Sequence, residues 1–322
     1  MLPIVTRKDA MDIIGKLRLY REAKDPREKE MWMEVTLAGL VVIRTIGQDW
    51  WLEAKDEVDS WVKGERSPVP RSHPVSKFMT AGSEREVQSE SWGQIVRLGS
   101  DFLTLLDQPA ANASLEAKIP EFRSRGSFFD AWFEVSVAAI FIRKGMQAIL
   151  IKEEKRERRP DIEVQSQFGK LLVECKARTK LSAEERSSDD VYRRRMKVRL
   201  GGVDDLVDDA LGKLDKVTCP ALVAVSLDLP QSPAATLELK LLRSNLELKF
   251  IRNPVLSGVL LFSNRIAKDP ATNMTMMSTD IKVLRNQNAS HPMPEEFFRV
   301  IVDSAIDTRP KMNYITDYAL DH

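Results

Sequence analysis

The chain has 322 residues with 49 Lys and Arg against 48 Asp and Glu, so it has room for two domains and lacks the overall charge excess that announces a nucleic-acid binder. Its 43% hydrophobic content is that of an ordinary soluble protein, and no run of about 18 apolar residues occurs, which excludes a membrane-spanning helix. Met1-Leu2-Pro3-Ile4-Val5-Thr6-Arg7 lacks the apolar stretch of a signal peptide, and the two cysteines, Cys175 and Cys219, lie in apolar strand-like contexts; a cytoplasmic protein with buried, reduced thiols is expected. No CxxC or paired-His spacing suggests zinc, and His73, His291 and His322 are scattered, which argues against a His-based catalytic site.

The first 120 residues read as helices. Residues 6–24 form the first, with Thr6 as N-cap and Ile13, Ile14 and Leu17 on its apolar side. Pro26 at N1 opens a second, which runs through Val35 and Val41 towards Ile46. Gly47 interrupts, and a further helix carries Trp50, Trp51 and Trp61, an aromatic stripe that reads as core. Gly64 to Gly82 holds Pro68, Pro70 and Pro74 and reads as a loop. Helix returns from Ser83 to about Leu106; residues 108–114 read as another loop, and residues 115–124 as a short helix or an approach segment. No converging set of acids appears in this region.

The stretch from Phe128 to Lys176 is different. Residues 131–142 are almost wholly apolar, yet Glu134 sits among them in a helix predicted to end at Gly145. A strand follows from Gln147 to Ile151. A charged linker then leads to a second strand opened by Pro160-Asp161, and a turn at Gly169 leads into Leu171-Leu172-Val173-Glu174-Cys175-Lys176. Strand alternation puts Leu171, Val173 and Cys175 on one face and Glu174 and Lys176 together on the other. The hairpin can bring Asp161 close to Glu174, and the preceding helix can supply Glu134. An acid two residues before a lysine also occurs at Glu22, Glu53, Glu116, Glu153, Glu238, Glu247 and Asp280, mostly in polar or helical contexts that read as solvated charges. Only Glu174 ends an apolar strand, and the chain has one Pro-Asp dipeptide.

Pro160-Asp161 followed by Glu174-Cys175-Lys176 resembles the PD-(D/E)xK motif of the restriction-endonuclease-like superfamily. The resemblance covers roughly residues 125–265 and implies a core of helix, three antiparallel strands, crossover helix and a further strand. It implies a nuclease that uses Mg2+ or Mn2+, with Glu134, Asp161, Glu174 and Lys176 as catalytic residues. Asp161, Glu174 and the backbone carbonyl of Cys175 would supply metal oxygens, and Glu134 would complete the shell. The chemistry suits those residue types. Phosphodiester hydrolysis gains from a hard cation that polarises phosphate oxygen, Mg2+ takes oxygen ligands and keeps several waters, and Lys176 places positive charge where it develops in the transition state.

Local charge supports a nucleic-acid partner. Between Lys152 and Arg199 there are fifteen Lys or Arg against ten Asp or Glu. Arg158 and Arg159 precede Pro160, Arg178 follows the motif, and Arg193, Arg194 and Arg195 form the densest group; each suits phosphate contacts, with a solvated face as the bland alternative. Thr179 to Asp190 is polar and reads as mobile. Val203 to Lys216 has helical periodicity, with Lys213 where relatives of the resembled family often carry Gln. Pro220 to Leu229 reads as a strand buried on both faces, Ala234 to Phe250 as a helix with an ambiguous end, Val255 to Ser263 as a strand near the sheet edge, residues 281–284 as a small strand, and Pro294 to Ile306 as a short helix.

The expected architecture is α/β: a helical region over 1–120, serving targeting or interaction, and a nuclease-like domain over 121–322 built on a mixed sheet flanked by helices. The expected function is metal-dependent hydrolysis of phosphodiester bonds, with DNA favoured over RNA and no membrane partner. A homodimer or protein partner through the helical region is left open. The alternatives are a degenerate core that binds nucleic acid without cutting it, and a protein-interaction scaffold.

Overall fold

The computed structural model of the chain describes residues 21, 24, 26–65, 85–124, 127–152, 159–177, 205–214, 216–227, 233–268 and 275–302. Among the described residues, five helices precede the sheet: α1 (Pro26–Ile46), α2 (Gln48–Val62), α3 (Arg85–Leu106), α4 (Pro109–Arg123) and α5 (Phe128–Arg143). Strands β1 (Gln147–Leu150), β2 (Ile162–Ser166) and β3 (Gly169–Lys176) follow. Next come helix α6 (residues 205–214), β4 (Ala221–Leu227), α7 (Pro233–Arg252), β5 (Leu256–Lys268), β6 (Thr275–Arg285) and α8 (Glu295–Val302). The six strands form one mixed sheet in the order β1-β2-β3-β4-β5-β6. β1-β2 and β2-β3 are antiparallel, β3-β4 and β4-β5 are parallel, and β5-β6 is antiparallel.

Several elements differ from the sequence reading. The predicted loop over residues 108–114 is the first half of α4: Pro109 supplies a fixed φ at the helix start, and Ala111, Ser114, Leu115, Lys118 and Phe122 form its buried side. β5 lies one strand in from the edge, as expected, but runs further than expected, to Lys268. It pairs with β6 over eleven residue pairs, from Gly258↔Arg285 to Lys268↔Thr275, and β6 is the edge strand. Residues 246–250 are helical, because Leu246 and Phe250 face the core one turn apart while Leu248 is exposed. The helix expected over 6–24, most of the loop expected over 64–82 and the polar segment 179–190 lie outside the described residues.

The sheet separates two hydrophobic layers, and β4 shows how. Ala221, Val223 and Val225 face a layer built with Val207, Ala210 and Leu214 of α6 and Leu246 and Phe250 of α7. Leu222 and Ala224 face the opposite layer, which holds α5 and the helices before it. That second layer runs without a break from Val41 on α1 through Phe102, Phe122 and Phe128 to Phe297 and Ile301 on α8. The boundary expected at residue 120 therefore falls inside α4 and inside one packed cluster. Phe128 is its aromatic centre: its ring stacks on Trp50 at 5.5 Å and meets Phe122 edge-on at 5.8 Å, tying α2, α4 and α5 together.

Two glycines let the helices pack this closely. Gly47 takes φ 125° between α1 and α2, and Arg123 Nε donates to the Ile46 carbonyl at 2.6 Å beside it. Gly99 lies where α3 crosses α1; a Cβ there would come within 2.6 Å of the Ala38 carbonyl oxygen. Among the described residues no helix is long and apolar enough to cross a membrane. Cys175 is buried, Cys219 is half-buried, and both are free thiols.

Candidate active site at the ends of two strands

The hairpin register brings the predicted acids together. Ile162 pairs with Val173, and the Asp161 N–H donates to the Val173 carbonyl at 3.0 Å, so Asp161 lies across from Glu174 at the next rung. The Cys175 N–H donates to Asp161 Oδ2 at 2.7 Å and fixes that carboxylate. Cys175 contributes its N–H here, and because the N–H and carbonyl of a strand residue point to the same side, its carbonyl also faces the Asp161 side of β3. Asp161 is buried and Glu174 is 0% exposed. Neither oxygen of Glu174 has a hydrogen-bond partner.

Two ammonium groups converge on Glu174. Lys176 Nζ stands 3.1 Å from Glu174 Oε1, and Lys213 Nζ of α6 stands 3.0 Å from the same oxygen and 3.4 Å from Asp161 Oδ1. Lys176 also pairs with Asp209, an exposed acid one turn before Lys213 on α6. Burial pushes the Glu174 carboxyl up to about 7, the Asp161 charge adds to the shift, and Lys213 and Lys176 pull it back. Burial disfavours charge on Lys176 as well, but its bond to Asp209 and the negative charge of Glu174 hold its pKa above the ordinary lysine value.

Glu134 approaches from α5. It is 7% exposed, and burial with the Asp161 charge pushes its carboxyl up to about 8. Its direct partner is Lys118 of α4, whose Nζ lies 2.6 Å from Glu134 Oε2. Lys118 is 2% exposed and donates to Glu121 at 3.0 Å. Burial opposes its charge, yet Glu134 and Glu121 together hold it protonated above the ordinary range. Asp130, one turn before Glu134, is exposed at the rim; crowding by the surrounding protein raises its carboxyl, Lys176 opposes and Asp161 adds.

The structure therefore assembles Asp161, Glu174 and Lys176 as one site and sets Glu134 beside Asp161 within its field. Asp161 and Glu174 are the residues that could hold a cation, with Glu134 paired to Lys118. Among the described residues no group of three or more His, Cys, Asp or Glu is placed to hold a metal ion. Arg159 is exposed just before Pro160. Arg158, Arg178, Arg193, Arg194 and Arg195 lie outside the described residues.

Sequence reasoning missed three charged residues around the site: Lys118, Asp130 and Asp209. Lys118 closes the Glu116-Ala117-Lys118 triplet, which reads as a solvated pair in sequence, yet the lysine is deeply buried. The signal was present. Lys118 occupies the Ala111, Leu115, Phe122 stripe, and a lysine on the apolar stripe of a helix needs a buried anion. Compared with known proteins, the chain matches no family model, and no curated protein or solved structure matches it.

Proposed function

We propose that the chain is a metal-dependent nuclease with a restriction-endonuclease-like core that hydrolyses phosphodiester bonds, with DNA favoured over RNA. The observation that carries this reading is a fully buried carboxylate, Glu174, with neither oxygen hydrogen-bonded, across a strand pair from Asp161 and 3.1 Å from the Lys176 ammonium. A buried acid without a hydrogen-bond partner is costly unless a ligand completes it. The order of elements also supports it: a helix, three antiparallel strands, a crossover containing a helix, and a parallel strand.

The donor set fits a small, hard divalent cation, Mg2+ or Mn2+, because such ions need only a few protein oxygens and keep water for the rest. Asp161 and Glu174 would hold it. When bound, the ion supplies charge that polarises a phosphate oxygen. Glu174 is held by the β3 backbone, and Asp161 by the Cys175 N–H, so the two carboxylates are oriented before any ligand arrives. Lys176 presents an ammonium at the same face, where it can offset negative charge on a phosphate. Arg159 and the arginine-rich segments on either side of the motif are suited to phosphate contacts along the strand.

A second reading, a core that binds nucleic acid without cutting it, draws support from Lys213 and Lys118, which already offset the acids. One experiment separates the two. Incubate the full chain with supercoiled plasmid, linear duplex, single-stranded DNA and RNA, each with Mg2+, Mn2+ or EDTA. The nuclease reading expects cleavage with a divalent ion and none with EDTA or after Asp161→Ala. Binding without cleavage under every condition overturns it in favour of the second.

A further inference from the structure

We propose that Lys213 is an internal counter-ion that occupies the Asp161–Glu174 site, and that a divalent cation binds by displacing it. The inference rests on the metal-dependent reading above. Among the described residues, Lys213 is the lysine that reaches both carboxylates, 3.0 Å from Glu174 Oε1 and 3.4 Å from Asp161 Oδ1. Lys176 also reaches Glu174 Oε1, but it projects from β3 beside Glu174 and is tied to Asp209. Two buried carboxylates thus face two ammoniums, one of which also serves the exposed Asp209.

A divalent cation changes that balance. Mg2+ sits about 2.1 Å from its oxygen ligands. An ammonium that stayed at its present distances would then lie within about 5.5 Å of the ion, in a buried site where repulsion is weakly screened. Lysine suits displacement: its charge rides on a flexible four-carbon stem that can swing away while α6 stays packed through Val207, Ala210 and Leu214. Such a lysine keeps the free site from carrying uncompensated buried negative charge and weakens the hold on the cation.

The test compares the full chain with Lys213→Met, which keeps the stem and removes the charge. Mn2+ is titrated into each and followed by electron paramagnetic resonance and by the thermal transition, with Glu174→Gln as the site control. The expected result is Mn2+ affinity at least tenfold higher in Lys213→Met, and a larger Mn2+-induced rise in Tm than in the parent chain. Both effects should be lost when Glu174→Gln is added. Equal or weaker affinity in Lys213→Met, with binding still dependent on Glu174, overturns the displacement role and leaves the nuclease reading standing. Absence of Glu174-dependent Mn2+ binding in both proteins overturns the metal reading itself. Lys213→Gln, neutral and able to donate to the same oxygens, gives the same comparison if the methionine variant does not fold.

Discussion

Two fully buried acids, Asp101 and Glu174, are treated in opposite ways. Asp101 of α3 is 0% exposed and its hydrogen bonds are made: Ser136 Oγ donates to one carboxylate oxygen at 2.7 Å, Arg143 donates to the other at 2.7 Å, and Arg97 stands 3.7 Å away. Arg97 in turn bonds Thr279 on β6. Glu174 is equally buried, yet it meets its two lysines on one oxygen and is hydrogen-bonded on neither. Glu134 and Ser136 are two residues apart on α5, about 200° around the helix axis, so one helix serves both centres from opposite sides. A buried carboxylate with its hydrogen bonds made fastens elements together; one left without them needs another explanation, which the proposed metal site would supply.

The largest expected effect separates these roles by activity. Asp161→Ala or Glu174→Ala should lower metal-dependent cleavage by about a thousandfold or more, the scale of losing a group that stabilises transition-state charge. Folding should survive, because Lys213 and Lys176 are partly exposed and their flexible stems can turn the charge to solvent when one acid is removed. Cleavage assays with thermal melts check both halves; wild-type rates in both variants would sink the assignment.

Removing residues 1–120 should damage folding more than chemistry. The fragment 121–322 loses Asp101 and the α1–α3 side of the cluster that buries Phe122 and Phe128, leaving a large apolar patch. We expect it to aggregate or to melt without cooperativity. A soluble fragment with a sharp transition and metal-dependent activity would show that the helical region is a separate domain, as the sequence reading had it.

Asp101→Ala should reverse the pattern of the site variants. Leaving Arg143 and Arg97 uncompensated is expected to cost about 3 kcal/mol of stability, the low end for breaking a buried ion pair. Cleavage per folded molecule should stay within a few-fold of the parent. Urea denaturation gives the first quantity and single-turnover assays the second.

The smallest effect is a pH slope. Folding raises Glu174 to about 7 and Glu134 to about 8, from an ordinary value of 4.5. Both groups bind a proton more tightly folded than unfolded. Their stabilisation is therefore fully present below about pH 4.5 and is lost as pH rises through 7 and 8. The metal-free protein should lose stability over that interval, by at most about 1.4 kcal/mol per pH unit for each group. Thermal melts in EDTA across this range check it, and Glu134→Gln with Glu174→Gln should flatten the slope. A slope that survives both substitutions would assign it to other groups.

Strand alternation alone put Glu174 and Lys176 on one face of β3, and the Pro-Asp dipeptide placed Asp161 at the start of the partner strand, because side-chain direction in a strand has a period of two. The helices α1, α3, α5 and α7 were legible for the same kind of reason: their apolar positions recur with the helical period or run unbroken. What periodicity does not carry is which helix faces which strand. That Lys118 would find Glu134, that Lys213 would reach across to Asp161 and Glu174, and that β6 would cover β5 depend on contacts between segments far apart in the chain. The same holds for the break at residue 120. Helix composition changes there, but the hydrophobic cluster does not, because burial is settled by packing in space, and only the folded chain places Phe102, Phe122 and Phe128 together.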